Sequence, residues 1–360
     1  MLSHTKNESK LISDSLIPKV KTMDWRTIGW TGKPVCLPTL ERRPLMIDQH
    51  GRNINKLRIS LSEICNMACT YCVTSLRDHK RSPDELKSDQ ILYLVRLLKE
   101  HSGIEKVRLT GGEPLLHPEI VSVVSGISEM GIKSIGLTSN GQLLSKKAKS
   151  LAEAGLKNVN ISLDSLDTKK FKLMGRVGKL HKTLEGIEAC LKYGLLVKIN
   201  MVVIKGENEN EIVEMLEYGV DHGVEVRYLE LMAMGPLYKK EDFKLIDMHE
   251  ILRIISKKYS VQPVSADSDS TSLRYWVPGG FFGIIPNKSA PFCSTCSRLR
   301  LTSDGQLIGC LSNPSPVSIR HLLNHADPKD TLQKLVKKSI SFKQDVAFTG
   351  SSLVMSRVGG

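Results

Sequence analysis

The sequence is poor in aromatic residues, with 7 Phe, 8 Tyr and 3 Trp among 360 residues. That argues against a stacking surface for single-stranded nucleic acid. No run approaches the ~18 apolar residues of a membrane span. No charged stretch followed by an apolar core opens the chain, so no secretory signal is predicted. Residues 1–23 contain no Arg but hold Glu8 and Asp14, unlike a mitochondrial transit peptide. Blocks of like charge are missing as well: 51 Lys and Arg against 38 Asp and Glu, net +13, are scattered along the chain. A surplus of that size favours an anionic partner. The scatter weakens nucleic acid and membrane against a phosphorylated small molecule. The cysteines do not form the framework of a small secreted domain either.

What is present is a core-forming chain, 41% hydrophobic, with a regular alternation of elements. Residues 1–47 are polar and aperiodic and predict an N-terminal extension, partly disordered. Strands are predicted at 57–61, 105–110, 133–138, 158–163, 196–204 and 224–231. Helices are predicted over 83–101, 118–130, 145–154, 181–193, 207–222 and about 247–258. Six strands alternating with helices imply a parallel sheet covered by helices, either a barrel or a doubly wound sheet. In both, the functional edge is where the strands end. Beyond residue 258 the pattern changes to a polar loop, a hairpin in RYWVPGGFFGIIP, a cysteine loop and a helical stretch over 317–340. The predicted division is therefore 1–47, 48–258 and 259–360.

Six of the 8 cysteines fall in two groups. Cys65, Cys69 and Cys72 read C-x3-C-x2-C in the loop after the first strand, with Tyr71 just before the last. Cys293, Cys296 and Cys310 read C-x2-C-x13-C. Three thiolates leave an open position on a centre that wants four ligands. A closed structural zinc site takes four, whereas a four-iron cluster with three can bind something else at its free iron. Cys190 lies in a helical pattern and reads as a buried core thiol; Cys36 stands alone. Gly111-Gly112-Glu113-Pro114 follows the second strand, where glycines let backbone approach a ligand.

The first triad, Tyr71 and the GGEP segment together resemble the radical S-adenosylmethionine (SAM) superfamily. The second triad, the pair Arg298 and Arg300 in C-x2-C-x-R-x-R, and the terminal Gly359-Gly360 are similar to the molybdenum cofactor biosynthesis protein A family, the GTP 3′,8-cyclases. The likeness extends over about residues 50–310 and the last few residues, including VNISLDSLD, VKINMV and VRYLELM. It implies an incomplete (βα)6 TIM-like barrel, α/β in class, with a C-terminal region carrying a second cluster. It implies two [4Fe-4S] clusters, on Cys65, Cys69 and Cys72 and on Cys293, Cys296 and Cys310, with SAM at Tyr71, Gly112, Ser162 and Met232. It implies GTP at Arg58, Arg108, Thr138, Lys198, Arg298 and Arg300, with Arg298, Arg300, Gly359 and Gly360 serving catalysis. A nucleoside triphosphate calls for several cations, and Arg gives bidentate contacts.

The implied reaction removes the 3′ hydrogen of GTP and joins that carbon to guanine C8. It gives 3′,8-cyclo-7,8-dihydro-GTP, the first step of molybdenum cofactor (molybdopterin) biosynthesis. The implied partners are a flavodoxin- or ferredoxin-like electron donor and, downstream, the cyclic pyranopterin monophosphate synthase. No nucleic acid or membrane is implied, and a homodimer is admitted. The implied location is the cytoplasm, or the mitochondrial matrix in a eukaryote. Two other readings stay open on the residues alone: a divergent radical SAM enzyme acting on another nucleotide or a peptide, and a zinc-binding, basic nucleic-acid-binding protein.

Overall fold

The structure is a computed structural model that describes residues 45–79, 81–240, 244–265 and 270–359. The expected extension therefore lies outside the described residues except for 45–47, as do Cys36 and Gly360.

Six strands alternate with helices as the sequence implies. They are β1 (Lys56–Ser60), β2 (Lys106–Thr110), β3 (Ser134–Ser139), β4 (Asn158–Ser162), β5 (Leu196–Val203) and β6 (Glu225–Glu230), parallel and side by side in chain order. Three short strands follow: β7 (Gln262–Val264), β8 (Leu273–Val277) and β9 (Gly280–Ile285). Three more, β10 (Arg298–Leu301), β11 (Gln306–Ile308) and β12 (Val317–Ser318), complete the sheet. Strand β9 joins β6 in parallel, and β10 joins β1 in parallel. The C-terminal region thus extends the parallel sheet at both edges. Strands β12 and β7 end the strand order, so the sheet is open.

The helices are α1 (Ser88–Ser102), α2 (Ile120–Glu129), α3 (Leu144–Glu153), α4 (Thr168–Gly175), α5 (Leu180–Lys192), α6 (Ile212–Asp221), α7 (Met248–Ser256), α8 (Lys329–Ile340) and α9 (Met355–Val358). Four differ from expectation, among them the short α9, for which no helix was expected. Helix α1 begins at Ser88 rather than near Pro83, because Lys87 is extended and its N–H is capped by the Gln90 side chain. The stretch 317–340 is not one helix: it opens as β12, passes through a 3-10 turn at Arg320–Asn324, and becomes helical only at Lys329. Pro328 precedes that start, and proline disfavours helix in the residue before it. Helix α4 carries no signal strong enough to be predicted, and the Asp167 carboxylate caps it by accepting from the Lys170 N–H.

Parallel strands covered on both faces normally read as continuous apolar runs. These do not. In KLRIS, KVRLT, NVNIS, EVRYLE and RLRL, apolar residues alternate with polar ones. The apolar set, including Leu57, Ile59, Val107, Leu109, Val159, Ile161, Val226 and Tyr228, is buried in the main core with the apolar faces of the helices. The opposite face carries Arg58, Arg108, Asn160, Asn200, Arg227, Arg298 and Arg300. Residues from β10, β1, β4, β5 and β6 on that face line a single cavity, so the sheet curls round it. Alternation in a parallel sheet here marks a polar chamber on one side of the strands.

Candidate functional site

The first cysteine loop runs from the end of β1. Helix α4 holds it from outside: Ala68 N donates to Gly175 O at 3.1 Å and Thr70 N to Met174 O at 2.9 Å. The Arg176 guanidinium donates to the carbonyls of Ala68, Val73 and Thr74. The glycine pair holds it from the second strand. Gly112 N donates to Ser62 O at 2.7 Å and Glu113 N to Ile64 O at 2.8 Å, and a Cβ at either glycine would overlap the 62–64 backbone. The glycines at 111–112 thus let the backbone of the cysteine loop itself approach. The Glu113 carboxylate is fully buried and accepts from Leu115 N, Asn140 N and Ser139 Oγ. Burial pushes it up to about 7 despite those bonds.

The three thiols of this loop act on one another. Burial, Glu113 and Cys72 push Cys65 up to about 12; burial also raises Cys72 to about 11, and it raises Cys69 together with Asp164, Cys72 and Cys65. Asp164 accepts from Tyr71 Oη at 2.7 Å and Val202 N at 2.9 Å. Tyr71 and Cys72 line a small cavity, about 50 Å³, with Met232, Met234 and Met355. Ser162, at the end of β4, is half-buried.

The second triad is assembled by β10 and the turn after β11. Its surroundings have the opposite sign. Burial pushes Cys296 up, but Arg298 and Lys343 outweigh it and bring it to about 5. Cys293, Cys296 and Cys310 line a cavity of about 170 Å³ with Arg58, Arg298, Arg300, Asn160, Asn200 and Arg227. The Arg298 guanidinium lies 4.7 Å from the Phe292 ring centre. The two cavities share Leu229, Met232, Asn287 and Met355, so the two triads open onto neighbouring parts of one chamber.

Register sets the cations side by side. Arg58 pairs with Arg300 of β10 and with Arg108 of β2. Burial and the neighbouring guanidiniums of Arg300, Arg298, Arg108 and Arg227 depress Arg58 well below the usual arginine range. Burial brings Arg108 to about 9, Arg227 to about 10 and Arg300 to about 10. Guanidiniums crowded at a polar cavity repel one another, an effect that Glu225 partly offsets at Arg227 and that further anions would relieve. Arg108 lies below the cavity and donates to Leu137 O and to Asn158 Oδ1 at 2.6 Å. Gly136 makes the space for it: a Cβ there would be 2.8 Å from the Arg108 Cζ.

The chain's end enters the same chamber. Arg300 Nη1 donates to Val358 O at 2.9 Å and to Gly359 O at 2.7 Å, and Arg58 Nη1 reaches Gly359 O at 3.5 Å. Ser60 Oγ donates to Ser356 O. Outside the chamber, Arg357 pairs with Asp304 at 3.2 Å and reaches Glu63 at 4.0 Å.

Of the residues singled out from sequence, Arg58, Arg298, Arg300, Met232, Gly359 and the second triad line the larger cavity, and Tyr71, Cys72 and Met232 the smaller. Arg108, Thr138 and Lys198 line neither. Lys198 is paired with Glu225 at 2.8 Å, and the Thr138 hydroxyl is buried without a hydrogen-bond partner. Gly360 lies outside the described residues. Sequence reasoning missed Arg227, Asn160, Asn200, Lys343 and Met355. The alternation in EVRYLE and LVKINMVV could have given Arg227 and Asn200. Lys343 lies in a polar tail and carries no local signal.

The open parallel sheet with a three-cysteine loop after its first strand defines a radical SAM protein. Residues 59–219 match the Radical SAM superfamily and 224–349 match Molybdenum Cofactor Synthesis C. Two solved structures share the fold. Streptococcus suis SuiB bound to S-adenosylmethionine has a TM-score of 0.55 at 14% identity, over 83% of this chain and 74% of that one. Native anSMEcpe with bound AdoMet has a TM-score of 0.55 at 16% identity, over 81% and 82%. The chain is 36% identical to the GTP 3′,8-cyclase of Campylobacter fetus, over 81% of this chain and 90% of that protein. It is 36% identical to that of Alkaliphilus oremlandii, over 88% and 100%. It is also 39% identical to the Caenorhabditis elegans molybdenum cofactor biosynthesis protein moc-5, over 84% of this chain but only 51% of that longer protein. The chain belongs to the GTP 3′,8-cyclase family.

The family's cofactors are SAM and two [4Fe-4S] clusters, and the residues fit them. The second triad lines the larger cavity with all three thiols, and the first reaches the smaller one through Cys72. Among the described residues no three His, Cys, Asp or Glu side chains form a group suited to a single metal ion. No helix among the described residues is long and apolar enough to cross a membrane.

Proposed function

We propose that this chain is a GTP 3′,8-cyclase, converting GTP to 3′,8-cyclo-7,8-dihydro-GTP in the first step of molybdenum cofactor biosynthesis. The observation that carries the reading is the set Arg58, Arg227, Arg298 and Arg300 lining one cavity, with Arg108 in register beside Arg58 beneath it. A triphosphate supplies several anionic oxygens to such a set, and each guanidinium can take two of them.

In this reading Cys65, Cys69 and Cys72 hold one cluster, with SAM beside it at Tyr71, Gly112, Ser162 and Met232. Cys293, Cys296 and Cys310 hold the second. The bound cofactors supply one-electron reduction of the SAM sulfonium and, from it, abstraction of a hydrogen atom. The chain's own residues bind, orient and exclude water. Arg58, Arg108, Thr138, Lys198, Arg298 and Arg300 hold GTP; the buried, partnerless Thr138 hydroxyl is a further polar group suited to a ligand. The Lys198–Glu225 pair must loosen for Lys198 to take part. Arg298 and Arg300 keep the nucleotide ring side toward the second triad. Gly359, which lines the chamber, and Gly360 serve catalysis in the same reading.

The domain reading is 48–258 for the SAM half and 259–360 for the auxiliary half, with 1–47 as an extension. An electron donor of the flavodoxin or ferredoxin type, consumption of the product by the cyclic pyranopterin monophosphate synthase, a homodimer, and a cytoplasmic or mitochondrial matrix location belong to the same proposal. Anaerobic reconstitution tests it: iron uptake with SAM cleavage that depends on GTP supports it. Zinc without iron contradicts it.

A further inference from the structure

We infer that Lys343 is a positioning residue for the second cysteine centre: its buried ammonium hydrogen-bonds the Cys296 sulfur, ties together the two chain segments that carry Cys296 and Cys310, and raises the reduction potential of the cluster held there.

Lys343 is 3% exposed. Its Nζ donates to Cys296 Sγ at 3.3 Å, to Arg298 O at 3.1 Å and to Gly309 O at 3.1 Å. An ammonium has three donors, and these three acceptors use them all. One acceptor is a ligand sulfur, one carbonyl lies two residues after Cys296, and the other lies immediately before Cys310. Both carbonyls are neutral, and the nearby Arg52 and Arg298 are cations. Burying an ammonium among cations costs several kcal/mol unless an anion meets it. Among its three acceptors the cysteine sulfur is the group able to carry that charge.

The placement of Lys343 is over-determined. Its own carbonyl accepts from Gln49 Nε2 at 2.8 Å and lies 3.0 Å from His50 Nε2. The next residue, Gln344, directs its Nε2 at Cys293 Sγ, 3.9 Å away, and its carbonyl accepts from Arg52. Arg52, paired with the buried Asp48, also donates to the Cys293 carbonyl. The turn at 46–54, which the sequence marks only as a lead into β1, thus braces 343–344 against the second triad.

A cation and an N–H donor at a ligand sulfur stabilise the more negative, reduced state of an iron–sulfur cluster, and so raise its potential. The first triad has carboxyl groups as neighbours instead, Asp164 and Glu113. The surroundings of the two centres of one chain therefore differ, with a buried ammonium at a ligand sulfur of the second.

This inference rests on the functional reading above, and its test separates the two. The measurement is an EPR-monitored redox titration of the anaerobically reconstituted full chain and of Lys343→Met. The expected result is a lower midpoint for the second cluster and an unmoved midpoint for the first. An unmoved second midpoint, or an equal shift of both, overturns the inference. Should Lys343→Met fail to hold the second cluster, the unsubstituted protein labelled with 15N only at lysine decides. A weak lysine 15N coupling on the second cluster's signal, measured without GTP, is expected. Its absence overturns the inference. Zinc in place of iron defeats the functional reading as well, whereas iron at both centres without lysine coupling defeats only the role of Lys343.

Discussion

Arg300 Nη1 donates to the Gly359 carbonyl at 2.7 Å, and the same arginine stands in register with Arg58 on the next strand. The end of the chain is thereby tied to the cationic row that the functional reading assigns to GTP. Gly359 meets a second constraint. Its φ is +77°, and a Cβ there would overlap Thr110 Cγ2, so no other residue fits without strain.

Gly359→Ala should displace the tail from Arg300 while leaving both cysteine triads intact. We expect a loss of cyclised product of about 100-fold or more, on the scale by which a small misplacement impairs a positioned reaction, with a change in stability of about 1 kcal/mol. Thr110→Ser removes the colliding methyl, so adding it to Gly359→Ala should restore part of the activity. Product quantified by mass spectrometry checks both, and unchanged turnover in the single variant would refute the tail's role.

Arg227→Met should weaken GTP binding with the iron content unaltered. Arg227 is held by Asn200 Oδ1 at 2.7 and 3.0 Å, and a hydrogen bond to a charged group contributes about 1.5–3 kcal/mol. A rise in KM for GTP of roughly 10- to 150-fold is expected. Equal KM values would remove Arg227 from the site.

Gly136→Ala should act on Arg108 from below the cavity. The added methyl meets the Arg108 guanidinium and Asn158 Oδ1, and overpacking of this kind costs about 1–3 kcal/mol. Thermal unfolding should show the loss, and GTP binding should weaken with it. A variant as stable as the parent would show that Arg108 has another place to go.

The contribution of Glu113 to apoprotein stability should fall as pH rises from about 4.5 to about 7, while Cys296, brought down to about 5, acts in the opposite direction above that pH. Glu113 is raised in the folded chain from its ordinary 4.5 to about 7 by burial. Between those values the folded state holds a proton that the unfolded state has released, so rising pH favours unfolding. The contribution is roughly 3 kcal/mol. Asp164, raised from 3.8 to about 6 by burial, acts in the same direction at lower pH. Urea unfolding at pH 5 and pH 7.5 should show that the change in stability on raising the pH is more favourable to folding in Glu113→Gln than in the parent, and an equal change would refute the assignment.

Much of this was legible in the sequence for identifiable reasons. Strands β1 to β6 announce themselves because each is a short alternating run followed by a helical period. The cysteine loops are legible because ligands to one centre must be close in the chain or in space, and here most are close in both. Strands β10 to β12 were not, since strands of two to four residues carry little pattern and owe their place to the pairing of β10 with β1 and of each of the others with the strand before it. Helix 317–340 was misread because the apolar spacing on either side of Pro328 is similar. Lys343 could not be found from sequence: it reaches Cys296 across 47 residues, and only the fold brings them together. The chamber's polarity was readable in retrospect, because alternation within parallel strands has no other purpose when both faces are enclosed.

The central claim is that the arginine row holds GTP while the cysteine triads carry the chemistry on it. The most direct test incubates the anaerobically reconstituted protein with SAM, a reductant and GTP, and follows both reactants. The account predicts SAM cleavage that requires GTP, with GTP converted to an isomer joined between the 3′ carbon and C8. SAM cleavage that proceeds equally without GTP, with the nucleotide recovered unchanged, would contradict it.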